Sequence, residues 1–179
     1  MGKYNFIIML AAVTVACGLG SAPPLTFLSR TYTLGSFNQK NAATWEYVTG
    51  GETVDNWTTL VTLIDRPDAK TMPEMDRLAQ GVMETYQTHG GRVLLARTMK
   101  DASGANFNYM VAGFDEPGKQ RMELNFVRIA MGPKNARMAI YGVRVADAKP
   151  FLTQHSSEIG QALETLKIPD LASLPRKEF

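Results

Sequence analysis

The sequence predicts an α+β fold: an antiparallel β-sheet sandwich with two packing helices, in the order β-β-α-β-β-β-β-α. Three observations carry that prediction. Two segments, around residues 72–88 and 148–166, repeat apolar residues at helical spacing. Six others are rich in β-branched and aromatic residues, several with period-two alternation. The last four of these follow one another through turns too short for a crossover, which makes them an antiparallel meander.

Residues 31–44 are polar and weakly patterned, and read as a lead-in strand or loop. Thr44–Val48 and Asn56–Ile64 read as strands separated by Gly50 and Gly51, which supply left-handed turn residues. In the second run both faces are mixed: Trp57, Thr59, Val61 and Leu63 on one, Thr58, Leu60, Thr62 and Ile64 on the other. Such a strand packs on both sides. Thr71 and Glu74 form a capping box, with Pro73 in the first turn. Met75, Leu78, Ala79, Val82, Met83 and Tyr86 make the helix stripe, Gly90 and Gly91 stop it, and Gly81 marks a close approach to the sheet.

Arg92–Thr98, Asn106–Phe114, Arg121–Ala130 and Ala136–Val145 are the four meander strands. Met122, Leu124, Phe126 and Arg128 face one way; Arg121, Glu123, Asn125, Val127 and Ile129 face the other. Asp147 caps the last helix. Its stripe is Phe151, Leu152, His155, Ile159, Ala162, Leu163 and Leu166, and Pro169 ends it. The tail from 169 to 179 is expected to be at most partly ordered.

Of the 179 residues 45% are hydrophobic and 20% charged, the balance of a globular chain. A net charge of +2 is too small to indicate a nucleic-acid partner. The charge is uneven, however. Residues 31–91 carry four basic and eight acidic side chains, whereas residues 92–149 carry ten and five. The second stretch is either a solvated basic face or a surface for an anionic partner.

The N-terminus has the pattern of an export signal. Lys3 precedes eleven largely apolar residues, Phe6–Ala16, too few to span a bilayer, which takes about 20. Thr14-Val15-Ala16-Cys17 resembles the lipobox of bacterial lipoproteins. Val15 and Ala16 fit it, while Thr14 departs from the aliphatic residue usual there. The resemblance implies cleavage before Cys17, the only cysteine, with lipid on its sulfur. Gly18, rather than Asp, then implies retention at the outer membrane. Each buried CH₂ of such an anchor contributes about 0.8 kcal/mol. The alternative is a general signal-peptidase cut near Gly20 or Ala22 and a soluble periplasmic protein, although Pro23 counts against the second site. The expected organisation is a signal peptide over 1–16, then the lipidated cysteine, tether and lead-in over 17–43. The α+β domain over 44–168 and the tail follow.

Catalytic signals are sparse. The chain lacks HExxH, CxxC, GxSxG and GxxxxGK[ST] motifs. Its two histidines, His89 and His155, lie at a helix end and beside a helix stripe. Glu52 and Asp55 flank the Gly50–Gly51 turn as a possible carboxylate pair, among neighbours typical of a solvated loop. An enzyme, a metal and a cofactor are not expected. Trp45, Tyr47 and Trp57 are the most distinctive group. Such aromatics fill a core or form a contact surface. Together with Arg121 and Arg128 they are the candidate binding surface.

The element order, with export and lipidation, is similar to the PsbP-like fold group and its DcrB-like periplasmic lipoproteins. The similarity covers residues of about 44–168 at the level of architecture. It implies a non-enzymatic accessory or protein-binding module anchored to the envelope membrane by its lipid, with an envelope protein as partner. The alternative is a periplasmic small-ligand carrier with a pocket between sheet and helix.

Overall fold

The computed structural model describes residues 22–39, 41–116 and 118–176. The expected leader and Cys17 lie outside the described residues. Eight strands and two helices follow in order: β1 (Leu25–Phe27), β2 (Arg30–Asn38), β3 (Thr44–Thr49), β4 (Thr59–Arg66), α1 (Met72–Thr88), β5 (Arg92–Lys100), β6 (Asn106–Asp115), β7 (Met122–Met131), β8 (Ala136–Val145) and α2 (Ala148–Thr165). A short 3-10 turn spans Leu171–Ser173.

The strands form one sheet, in the order β1-β2-β3-β4-β8-β7-β6-β5. All seven ladders among the described residues are antiparallel. The expectation of an α+β fold with antiparallel strands and two packing helices holds. The expected sandwich is instead a single curled sheet. Neighbouring strands lie about 4.8 Å apart, so β1 and β8, four ladders apart, would be about 19 Å apart in a flat sheet. Yet the rings of Phe27 and Tyr141 are 5.0 Å apart.

The sheet also begins earlier than residue 44. β2 pairs with β3 along most of its length, with an irregularity between Leu34 and Ser36. Its polar sequence hides the pattern because this bulge shifts the alternation midway. Tyr32, Ser36 and Phe37 are buried, and the Tyr32 hydroxyl donates to Thr59 Oγ1 at 3.2 Å. The tail is likewise part of the core: Leu171 and Leu174 are buried, and Trp45 Nε1 donates to the Pro175 carbonyl at 2.8 Å.

The two helices cover opposite faces of the sheet. Ile159 and Leu163 of α2 pack with Tyr109, Leu124, Phe126 and Tyr141. Met75, Ala79, Val82 and Tyr86 of α1 pack with Met110, Val127, Ile129 and Ile140. The alternation expected for β7 therefore holds, and β4 is buried on both faces as its mixed pattern predicts. A third cluster of Val48, Trp57 and Leu60, with Val54, lies under the loop joining β3 to β4. Trp57 lies just before β4 rather than within it. Gly142 makes room for it: a Cβ there would meet Trp57 at 3.1 Å and Asn125 Oδ1 at 3.2 Å.

Both helix starts are as expected. Thr71 and Glu74 complete the capping box, and Asp147 Oδ1 accepts from the Lys149 amide at 3.0 Å. The glycines of α1 divide differently. Gly81 is exposed, and a Cβ there would meet nothing within 4 Å, so the expected close approach to the sheet is absent. The close approach occurs at Gly91, where a Cβ would lie 2.6 Å from the Phe114 ring and 2.9 Å from the Tyr86 carbonyl oxygen. Gly81→Ala is therefore predicted to stabilise the fold by about 0.5–1 kcal/mol, through helix propensity and reduced unfolded-state entropy. Gly91→Ala is predicted to destabilise it by about 1–3 kcal/mol through overpacking. Urea denaturation midpoints of the two variants should move in opposite directions.

Candidate functional site

The residues singled out from sequence are placed mainly inside the protein. Trp45, Tyr47 and Trp57 are at most 1% exposed, so their role is to fill the core and they present no contact surface. Trp45 packs against Phe37 in a tilted pair with ring centroids 5.2 Å apart. Arg128 is buried as well. It donates to the Leu166 carbonyl at 3.3 Å, lies 5.3 Å from the Phe107 ring and reaches Asp101 at 3.9 Å. A cation at the end of α2 complements the helix dipole. Burial nonetheless lowers its pKa against the pull of Asp101.

Arg121 remains partly exposed, but it is paired with Glu116. Glu116 also takes Arg144 at 2.8 Å, and Glu123 lies 3.9 Å from the same guanidinium. Arg144 stacks on the Trp57 ring at 3.9 Å and donates to the Trp57 carbonyl at 3.0 Å. This ion cluster staples the 50–58 loop to β8. Burial pushes the Glu116 carboxyl upward, but Arg121, Arg144 and Lys119 outweigh it and hold the group below its ordinary range. Burial wins at Glu123, which is raised despite Asn125 and Arg144.

Glu52 and Asp55 sit in different environments. Glu52 accepts from the Thr49 hydroxyl at 2.6 Å and from the Thr58 amide at 2.9 Å, and also from the Thr58 hydroxyl. Burial raises its pKa, but these hydrogen bonds override it and the net shift is downward. Its carboxylate holds the loop closed, while Asp55 is exposed. His89 caps α1, its Nδ1 2.7 Å from the Thr85 carbonyl, and His155 makes a tilted ring contact with Phe151 at 4.8 Å. Among the described residues no group of three or more His, Cys, Asp or Glu is arranged to hold a metal, and no helix is long and apolar enough to cross a membrane.

The exposed feature of the sheet lies elsewhere, at β5. Among the described residues this strand ends the sheet and pairs with β6 alone. Seven of its nine residues are exposed, the other two partly so. Leu94 and Leu95 are 46% and 39% exposed, two of the three exposed large hydrophobics among the described residues. Their adjacency comes from a bulge between Val93 and Leu95, which puts both on the face that carries α2. Arg92 and Arg97 flank them on that face. Arg92 pairs with Asp115 at 3.3 Å in the open, and Arg97 lies 5.7 Å from the Tyr109 ring centroid. Exposed pairs of this kind contribute less than about 1 kcal/mol, so both guanidinium groups are free to exchange partners.

On the other face, a groove of about 350 Å³ separates α1 from β5 and β6. Its floor is a chain of hydrogen bonds: Thr98 Oγ1 to Asn108 Oδ1 at 3.0 Å, and Asn108 Nδ2 to Asp76 Oδ1 at 2.9 Å. A second groove, of about 470 Å³, runs between residues 23–28 and the end of α2. Tyr47 lines it, with its hydroxyl buried and unpartnered among the described residues.

No family model matches this sequence, and no curated protein matches it. The β5 edge was not singled out by sequence reasoning. The signal present was the Leu94–Leu95 doublet, which breaks the alternation of Arg92–Thr98. That β5 is an edge depends on strand order, which no local pattern carries.

Two predictions follow from the charge network. Arg144→Met leaves Glu116 and Glu123 without their shared cation, and should cost about 3 kcal/mol in equilibrium unfolding. The second concerns Glu46, which accepts from the Ser36 hydroxyl at 2.5 Å. Burial raises its pKa, against the Ser36 hydrogen bond and with help from Asp55. The fold therefore favours the protonated form, and that advantage disappears as pH rises through the folded-state pKa. Glu46→Gln should leave the melting temperature unchanged at acid pH and raise it relative to wild type at pH 8.

Proposed function

We propose that this protein is a non-enzymatic accessory module of the bacterial envelope, held at the membrane by a lipid on Cys17, and that it docks a protein partner along β5. The observation that carries the docking is the β5 edge: nine residues long, open on its outer side, with Leu94 and Leu95 uncovered. An exposed edge strand presents unpaired backbone N–H and C=O groups, a template for a further strand. The short leader and the lipobox-like Thr14–Cys17 support the location, and the engagement of Glu52 in closing its own loop fits a binding role.

A periplasmic small-ligand carrier is the second reading. The groove beside residues 23–28, with the unpartnered Tyr47 hydroxyl, favours it. That groove is open rather than an enclosed chamber, which places this reading second.

Two measurements test the proposal together. A photo-crosslinking residue at position 95 in living cells should give discrete adducts that the same residue at the exposed position 84 of α1 does not. Equal patterns from both positions would remove β5 as a docking edge. Cys17→Ser should move the protein from the membrane to the soluble envelope fraction, and unchanged fractionation would remove the lipid anchor.

A further inference from the structure

Resting on β5 as the docking edge, we infer that its partner is an extended acidic segment that adds as a ninth strand, with an apolar residue bracketed by carboxylates at two-residue spacing. The side chains of β5 on the α2 face carry this pattern in complement. Leu95 lies opposite Val111, Arg97 opposite Tyr109 and Arg92 opposite Gly113. Leu94 reaches the same side, beside Leu124 and Met122. An exposed apolar pair thus sits between two exposed guanidinium groups. A strand laid alongside places every second side chain on that face. The sequence acid-x-apolar-x-acid then puts its apolar residue against the leucines and its carboxylates against Arg92 and Arg97.

A second copy of this chain does not fit. β5 contains Arg92, Arg97 and Lys100 and no carboxylate. Pairing two copies through β5 brings six cations and no carboxylate to one seam, an accumulation of like charge that opposes the ladder. Cations on an edge strand commonly prevent self-pairing, and here the same three select a partner of opposite sign. The anionic group closest to hand is Asp115 on Arg92, at 3.3 Å and fully open to competition. On the opposite face Asp76 is engaged with Asn108. A lipid surface would meet the cations but would leave the outward backbone groups of β5 without directional partners.

The test uses the full-length chain in mild detergent and fluorescence anisotropy of a labelled seven-residue peptide in which threonine alternates with aspartate, valine and aspartate. Binding should be at least tenfold tighter than for the same peptide with lysine in place of aspartate. It should weaken at least tenfold in Arg92→Glu/Arg97→Glu. Strand addition makes a further demand that requires no protein variant. N-methylation of alternate peptide amides should abolish binding in one phase and preserve it in the other. Equal binding of both N-methylated peptides, or of the lysine peptide, would overturn the inference. So would arginine-dependent binding to phosphatidylglycerol but not phosphatidylcholine vesicles in the absence of peptide binding, or concentration-dependent dimerisation through β5. Adducts from position 95 without binding of the acidic peptide would remove the acidic partner and leave the docking edge standing.

Discussion

The antiparallel ladder between β4 and β8 is the joint on which the structure depends. Strands β1 to β4 form one meander and β5 to β8 another, and among the described residues this ladder alone unites them within the sheet. It pairs Thr59 with Val143 through to Arg66 with Ala136. Both faces of the joint are packed, which is why Thr59–Ile64 is buried throughout. Because β4 is followed in sequence by α1 and β5, the chain must cross one face before the second meander can return to it. That crossing puts α1 on one side and leaves α2 and the tail for the other.

The basic residues of the second half are spread over several places, with Lys119, Lys134 and Lys149 exposed away from β5. Arg128 and Arg144 are drawn inward, where each caps a carbonyl and meets an aromatic ring. Arg137 lies close to Asp170 and ties the tail to β8. Desolvation makes such placements costly unless the guanidinium is well supplied with acceptors. What remains outside on β5 is therefore a small set, Arg92, Arg97 and Lys100, rather than a broad basic face. Counting charges along the chain does not reveal this partition, since inward and outward arginines look the same in sequence.

Much of the architecture was legible. The caps at Thr71 and Asp147, both helix stripes and the β7 alternation are local patterns, and they appear as expected. The missed parts were non-local. β1 and β2 are held by aromatic burial over a curled sheet, and β2 carries a bulge that scrambles its period. The tail owes its order to Leu171, Leu174 and the indole of Trp45. The candidate surface failed for the same reason: size and rarity marked Trp45, Tyr47 and Trp57, but the curled sheet buries the first two and the loop joining β3 to β4 covers the third. Conversely nothing local in Arg92–Thr98 marks Leu94 and Leu95 as exposed, and it is strand order that places them at the rim.

The two ends of the sheet are unlike. β1 has three residues, two of them buried, and is entered through Pro23 and Pro24, which carry no amide hydrogen. It offers almost nothing for another chain to pair with, whereas β5 offers nine residues. Addition of a strand at β5 would thus create a new rim belonging to the visitor, while the far side of the host would stay blunt. Head-to-tail stacking of host molecules by this route would lack its second edge, and a visiting segment that is a single short strand would bind one per host.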